Sequence, residues 1–238
     1  MDVDIYIPCL IDQFFPETGF NMIKVLEAAG CTVFYNPEQT CCGMPAMHSG
    51  YWDQARAVGE KLIDEYDSDR LIVCAGSACT GMIRNDYEEL FENSVWLNKY
   101  KSVRERFVDL SEFLIDHLSH DQFGSVLKKK AVYQDACSAI HWCDIDEQPR
   151  QLLANVEGLE LIDIEDREMC CGFGGTFAAK FDPVASELAK LKVENIMRAG
   201  AELIITSEPG CLMHLKKYIK KEEVDLEVLH IADVLSKF

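Results

Sequence analysis

Leu71-Ile72-Val73-Cys74-Ala75-Gly76-Ser77-Ala78-Cys79 aligns without a gap on Leu203-Ile204-Ile205-Thr206-Ser207-Glu208-Pro209-Gly210-Cys211. Each stretch opens on an apolar run of buried-strand type, passes at once into loop residues and ends on a cysteine. Upstream, each copy carries Cys-Cys-Gly, at Cys41-Cys42-Gly43 and Cys170-Cys171-Gly172, and before that a single cysteine, Cys9 or Cys137. Ile5-Tyr6-Ile7 and Ala131-Val132-Tyr133 read as strands running into those first cysteines. Gly30 and Gly158 stand at matching places after helical stretches, and helices are predicted from Asp53 to Tyr66 and from Pro183 to Met197. The closing segments, Leu110 to Leu114 and Ile231 to Leu235, also match. One unit is thus written twice: strand, helix, strand, Cys-Cys-Gly, helix, strand, cysteine, helix.

Alternation of strands and helices predicts the α/β class, with parallel sheets covered by helices and ligands gathered beyond the carboxyl ends of the strands. The expected architecture is two tandem, homologous, Rossmann-like halves, residues 1–125 and 126–238, related by a pseudo-twofold axis. The boundary is placed near residues 124–129, where Gly124 and the run Lys128-Lys129-Lys130 interrupt the pattern. Residues 84–106, with Tyr87, Leu90, Phe91, Trp96 and Tyr100, have no counterpart of that length in the second copy. They are expected to form a helical insertion on the first half, its aromatics packed into core.

Composition sets outer limits. A net charge of −18, from 41 acidic and 23 basic residues, opposes binding to a polyanion, because each phosphate contact needs a Lys or Arg. Nucleic acid is therefore not an expected partner. No apolar run approaches the roughly 20 residues needed to cross a bilayer, and Met1-Asp2-Val3-Asp4 does not read as a secretory signal. The expected location is cytoplasmic. In a reducing compartment eleven cysteines argue for metal ligation or thiol chemistry over structural disulfides.

Eight of the eleven cysteines belong to the repeat. Iron–sulfur clusters are held by thiolates arriving from several directions, and two strand ends plus one tight turn supply them. Cys9, Cys41, Cys42 and Cys79 form one candidate set, and Cys137, Cys170, Cys171 and Cys211 the other. Gly43 and Gly172 lack a Cβ, so the backbone can take a positive φ, pass close to an inorganic core and offer N–H groups to it. Tetrahedral zinc also accepts four thiolates, but the usual pair of Cys-x-x-Cys knuckles is absent from both halves. A thiol–disulfide redox protein acting through the adjacent cysteines leaves Cys9, Cys79, Cys137 and Cys211 without a role.

The stretches Ile7-Pro8-Cys9-Leu10-Ile11-Asp12-Gln13-Phe14-Phe15-Pro16, Gln39-Thr40-Cys41-Cys42-Gly43-Met44-Pro45-Ala46, Cys170-Cys171-Gly172-Phe173-Gly174-Gly175-Thr176-Phe177 and Cys211-Leu212-Met213-His214 resemble the cysteine-rich-domain (CCG) iron–sulfur proteins. The resemblance covers nearly the whole chain. It implies a cytosolic iron–sulfur subunit of an L-lactate (2-hydroxy acid) oxidising complex, working beside two other proteins, one of them also an iron–sulfur protein. It implies electron transfer, as in related subunits of heterodisulfide reductase, glycolate oxidase and anaerobic glycerol-3-phosphate dehydrogenase. An oxidoreductase subunit that itself moves no hydride is consistent with the absence of a G-x-G-x-x-G fingerprint. No residue is assigned a catalytic role.

In the fullest form of the motif a fifth cysteine follows the last one by three positions and the cluster is a noncubane [4Fe-4S] centre. This chain has Met82 and His214 there, which favours an ordinary [4Fe-4S] cube on four cysteines, one or two per chain. Zinc is a candidate substitute. Met82 is expected in the core, and His214 beside the second site. Cys31 and Cys74 read as small buried hydrophobes, and Cys143, next to Trp142, as a non-ligand. His48 and His141 are read as polar lining, and Asp12 and Asp135 as partners of loop backbone.

Overall fold

The computed structural model describes residues 1–238. Eight strands form two four-stranded sheets, parallel throughout. β1 (Asp2–Tyr6), β2 (Thr32–Tyr35), β3 (Leu71–Cys74) and β4 (Phe107–Asp109) run in the order β2-β1-β3-β4. β5 (Val126–Tyr133), β6 (Glu157–Leu161), β7 (Leu203–Thr206) and β8 (Glu227–His230) repeat it as β6-β5-β7-β8. Register repeats as well. Val3 pairs with Leu71 and Ile5 with Val73, as Ala131 pairs with Leu203 and Tyr133 with Ile205. The central strands β3 and β7 are apolar because both of their faces are covered, whereas β2, on an edge, is largely exposed.

The inner faces of the two sheets share one core of 25 buried residues, in which Val3, Ile5 and Leu26 meet Tyr133, Leu203 and Ile205. Two smaller cores fill the outer faces, one per half. The halves also exchange equivalent contacts. Helix Pro16–Ala28, which follows β1, packs on Ile231–Leu235, which follows β8, while Glu147–Ala154, which follows β5, packs on Leu110–Glu112, which follows β4. Thr18 Oγ1 and Asn21 Nδ2 donate to the Asp233 carboxylate at 3.1 and 2.9 Å, and Gln148 Nε2 donates to Asp116 at 3.0 Å. This reciprocity is the signature of a pseudo-twofold axis.

Three details depart from the sequence reading. Lys128-Lys129-Lys130 lies inside β5, alternating side chains along an edge-to-centre strand, and the connection between the halves runs just before it. Gly158 lies inside β6 and not at a helix end, since its helix stops at Ala154. β4 and β8 add a fourth strand to each half. The helices after the Cys-Cys-Gly turns, Trp52–Glu65 and Asp182–Arg198, match expectation to within a residue. The insertion forms Tyr87–Phe91 and Leu97–Arg106, preceded by a widened π-type turn at Met82–Asp86. Tyr87, Phe91 and Tyr100 are buried together with ring centroids 5.5 to 6.0 Å apart, so these aromatics are core.

Candidate metal centres

In each sheet the chain leaves its first strand to one side and returns to the other, so β1/β3 and β5/β7 flank the switch point favoured for ligands. Cys9 follows β1 and opens helix Cys9–Phe14, and Cys79 follows β3 in helix Ser77–Gly81. Cys137 follows β5 and opens Cys137–Cys143, and Cys211 follows β7 in Pro209–Lys221. The Cys-Cys-Gly turn, on the loop after the second strand, closes each site from the side.

All eleven cysteines are free thiols. Cys9 Sγ lies 3.8 Å from Cys41 Sγ, and Cys42 Sγ lies 3.4 Å from Cys79 Sγ. In the second half Cys171 Sγ is 2.8 Å from Cys211 Sγ, and Cys137 and Cys170 are close enough for each to shift the other's thiol. The two expected groups of four are thus brought together from distant chain positions. Cys31 and Cys74 are buried, and Cys143 donates to the Ser77 carbonyl at 3.4 Å. Met82 is core.

Within each set one sulfur is the favoured anion. Hydrogen bonds from Cys42 and Cys9, aided by the Gly43 N–H at 3.4 Å, hold the Cys41 thiol down at about 3. Hydrogen bonds from Cys137 and Cys171, with the Gly172 N–H at 3.3 Å and the nearby His214, hold Cys170 at about 2. The donors show the converse: Cys9, Cys42, Cys137 and Cys171 are pushed up because each keeps its proton to donate a hydrogen bond to those sulfurs, and by burial. Such a cluster of soft donors, with one sulfur in each set favoured as the thiolate, suits a thiophilic metal.

Gly43 and Gly172 adopt φ of 83° and 92°, as the sequence suggested. The reason for glycine is different. A Cβ on Gly172 would stand 2.5 Å from the Ala185 carbonyl oxygen, and one on Gly43 would stand 3.3 Å from that of Ala55, so each turn is pressed against the helix that follows it. Tyr87, from the insertion, steadies the first turn by donating to the Cys42 carbonyl at 2.8 Å.

A cavity of about 280 Å³ opens over the first thiol set and is also lined by Phe173, Thr176 and Ala179 of the second half. The two sites are neighbours. Ser77 and Ser138 hydroxyls meet at 2.7 Å, and Glu208 accepts from Ser77 Oγ at 3.1 Å, Ala78 N–H at 2.8 Å and Gly210 N–H at 3.1 Å. Sequence reasoning had passed over Glu208. It had also left His48 without an acid; His48 Nε2 stands 3.9 Å from Asp86 on the same cavity. Asp135 is taken by Arg150 in a bidentate pair at 2.7 and 2.8 Å, Asp12 and His141 are exposed, and buried His214 engages the Ala185 carbonyl at 3.1 Å through Nε2.

Soft thiol donors gathered in fours suit a thiophilic metal or a metal cluster. No three Cys, His, Asp or Glu side chains are focused on one point as a single ion requires. A cluster needs each thiolate only at its own metal atom. The model of the cysteine-rich domain (CCG) family matches residues 3–84 and 131–216. Lactate utilization protein A 2 of Bacillus cereus (strain AH820) is 34% identical over 238 residues, spanning 100% of this chain and 98% of its own length. Lactate utilization protein A of Halalkalibacterium halodurans is 35% identical over 237 residues, spanning 99% and 97%. A hypothetical protein from Helicobacter pylori of known structure shares the fold with a TM-score of 0.63 at 13% identity, over 98% of this chain and 48% of that one. No helix here is long and apolar enough to cross a membrane. Matched by the family model in both halves and similar to these relatives over its full length, the chain belongs to the cysteine-rich-domain family and, within it, to the lactate utilization protein A proteins.

Proposed function

We propose that this chain is a cytoplasmic iron–sulfur electron-transfer subunit of an L-lactate (2-hydroxy acid) oxidising complex that includes a second iron–sulfur protein. Cys9, Cys41, Cys42 and Cys79 would hold one [4Fe-4S] cluster, and Cys137, Cys170, Cys171 and Cys211 another. The observation that carries the reading is the convergence, twice, of four thiols from three loops at the switch point of a parallel sheet. The relatives' names supply lactate. When bound, an iron–sulfur cluster accepts and releases single electrons without moving atoms. The Gly43 and Gly172 N–H groups donate to the Cys41 and Cys170 sulfurs, which stabilises added negative charge.

Zinc is the second reading, and one observation favours it. Four thiolates about 2.3 Å from one zinc stand about 3.8 Å from each other, which the Cys9–Cys41 separation of 3.8 Å matches. Against it stand the 2.8 Å Cys171–Cys211 approach and the lack of a common focus.

The test is lactate-dependent reduction of an acceptor by the reconstituted complex carrying Cys171→Ser. A hydroxyl is a harder and far less acidic donor, so turnover should fall at least tenfold while the partners still assemble. Cys74→Ser should leave turnover unchanged. A Cys171→Ser complex that assembles, lacks its second cluster and still turns over fully contradicts the electron-conduit role.

A further inference from the structure

The helices behind the two Cys-Cys-Gly turns correspond residue by residue. Gly43 abuts Ala55 and Val58, and Gly172 abuts Ala185 and Leu188. In this register buried Gly59 matches Ala189 and buried Ile63 matches Val193. Leu62, fully apolar and buried, then matches Lys192. Lys192 is 0% exposed, a cation on the stripe of the helix that faces the core.

Removing an ammonium from water costs several kcal/mol unless partners repay it. Lys192 Nζ donates to the Arg167 and Asp166 carbonyls at 2.7 and 3.3 Å, in the segment leading into Cys170. Neutral carbonyls satisfy its protons and leave its charge uncancelled. Of the two acids within its reach, Asp135 already has Arg150 as a bidentate partner and Asp166 is exposed to solvent, while Asp146 is shared by Arg150 and Arg167. Behind the second thiol set Arg150, Arg167 and Lys192 thus meet Asp135 and Asp146, with Asp166 screened by solvent, and Lys192 has no carboxylate of its own to pair with. Lys192 lies within electrostatic reach of Cys211 and Cys171. The first set has Leu62 in the equivalent place, and the buried carboxylate of Glu208 lines its cavity.

We propose that Lys192 is a built-in counter-charge that sets the second centre at a higher reduction potential than the first, giving the pair a direction. The inference rests on the reading that both thiol sets hold iron–sulfur clusters. Reduction adds one negative charge to a centre, and a fixed cation beside it stabilises the reduced form. One electron supplied by a reduced partner protein to the first centre then passes to the second. The first loses the electron that the second gains, and Lys192 keeps its proton throughout.

The experiment is reductive titration of the whole chain with dithionite, followed by electron paramagnetic resonance, with iron and sulfide measured on every sample. Lys192→Gln keeps a donor for the two carbonyls and removes the charge. At a fixed potential the reduced-to-oxidised ratio of the second centre should fall at least tenfold, about 59 mV for a one-electron couple. Lys192→Arg should stay near the parent value. In a Cys42→Ser background, which leaves the second centre, the shift should persist; in a Cys171→Ser background, which leaves the first, it should vanish. Lys192→Met, apolar like Leu62, serves in the same role if the glutamine variant does not fold. Variants with parental iron and sulfide and an unmoved second potential overturn the counter-charge. A parent chain without iron and sulfide overturns the iron–sulfur reading and this inference with it.

Discussion

Gly172 shows how a single residue serves the site. Its positive φ was legible in Cys-Cys-Gly, because a turn that aims two neighbouring thiols at one place needs a backbone that L side chains rarely adopt. Its neighbour was not legible. The Ala185 carbonyl that a methyl group would strike at 2.5 Å comes from the next helix, and only the fold brings it there. Gly172→Ala therefore combines left-handed strain with a backbone collision, and should destabilise the second half by about 1–3 kcal/mol or more. The same change at Gly43, where the nearest atom is 3.3 Å away, should cost less. Denaturant unfolding of the two variants, with iron content measured beside it, checks the order; equal losses would mean that the helix carbonyl is not what selects glycine. Lys192 had a readable signal that went unused, a charge on the apolar stripe of an amphipathic helix.

At the scale of elements, the sequence revealed what periodicity and length can carry. β1, β3, β5 and β7 and the long helices after the turns announce themselves as apolar runs and stripes. β4, Phe107-Val108-Asp109, and β8, Glu227-Val228-Leu229-His230, each hold only two apolar residues in a row, where β3 and β7 hold three, and neither is legible as a strand. Each is nonetheless locked to the short helix after it by a capping box. Asp109 accepts from Ser111 N–H at 2.8 Å while Glu112 accepts from Asp109 N–H at 3.2 Å, and His230 with Asp233 does the same in the second half. The pair is unequal in pH. Burial pushes the Asp109 carboxyl up to about 7, against the Ser111 N–H, and its Oδ2 is buried without a partner. Because the folded value is raised, the contribution of Asp109 is intact below the unfolded value near 4 and is lost as pH rises toward and through 7. Asp109→Asn keeps an acceptor for Ser111 and cannot ionise. Its stability relative to the parent should therefore improve between pH 5 and pH 8, by about 3 kcal/mol at most. Urea unfolding at the two pH values reads the difference, and parallel losses in both proteins would show that Asp109 ionises without cost.

For the whole molecule, duplication was written plainly in the spacing of Cys9, Cys41, Cys42 and Cys79 against Cys137, Cys170, Cys171 and Cys211. How the copies join was not, because the shared core draws on residues that look like the inner faces of any sheet. The join matters for function. It places Ser77 against Ser138 and brings Phe173 over the first cavity, so two sites written far apart in sequence become neighbours. Neighbouring thiol sets, one beside a buried ammonium, suit the handling of single electrons, and the central claim is that both are built for iron and sulfide. The most direct measurement is metal and acid-labile sulfide analysis of the whole chain prepared without oxygen, beside Cys42→Ser and Cys171→Ser. The account predicts iron and sulfide in equal amounts, about four of each per occupied centre, with each variant losing one centre's share. Stoichiometric zinc with no sulfide in the same preparation would contradict it.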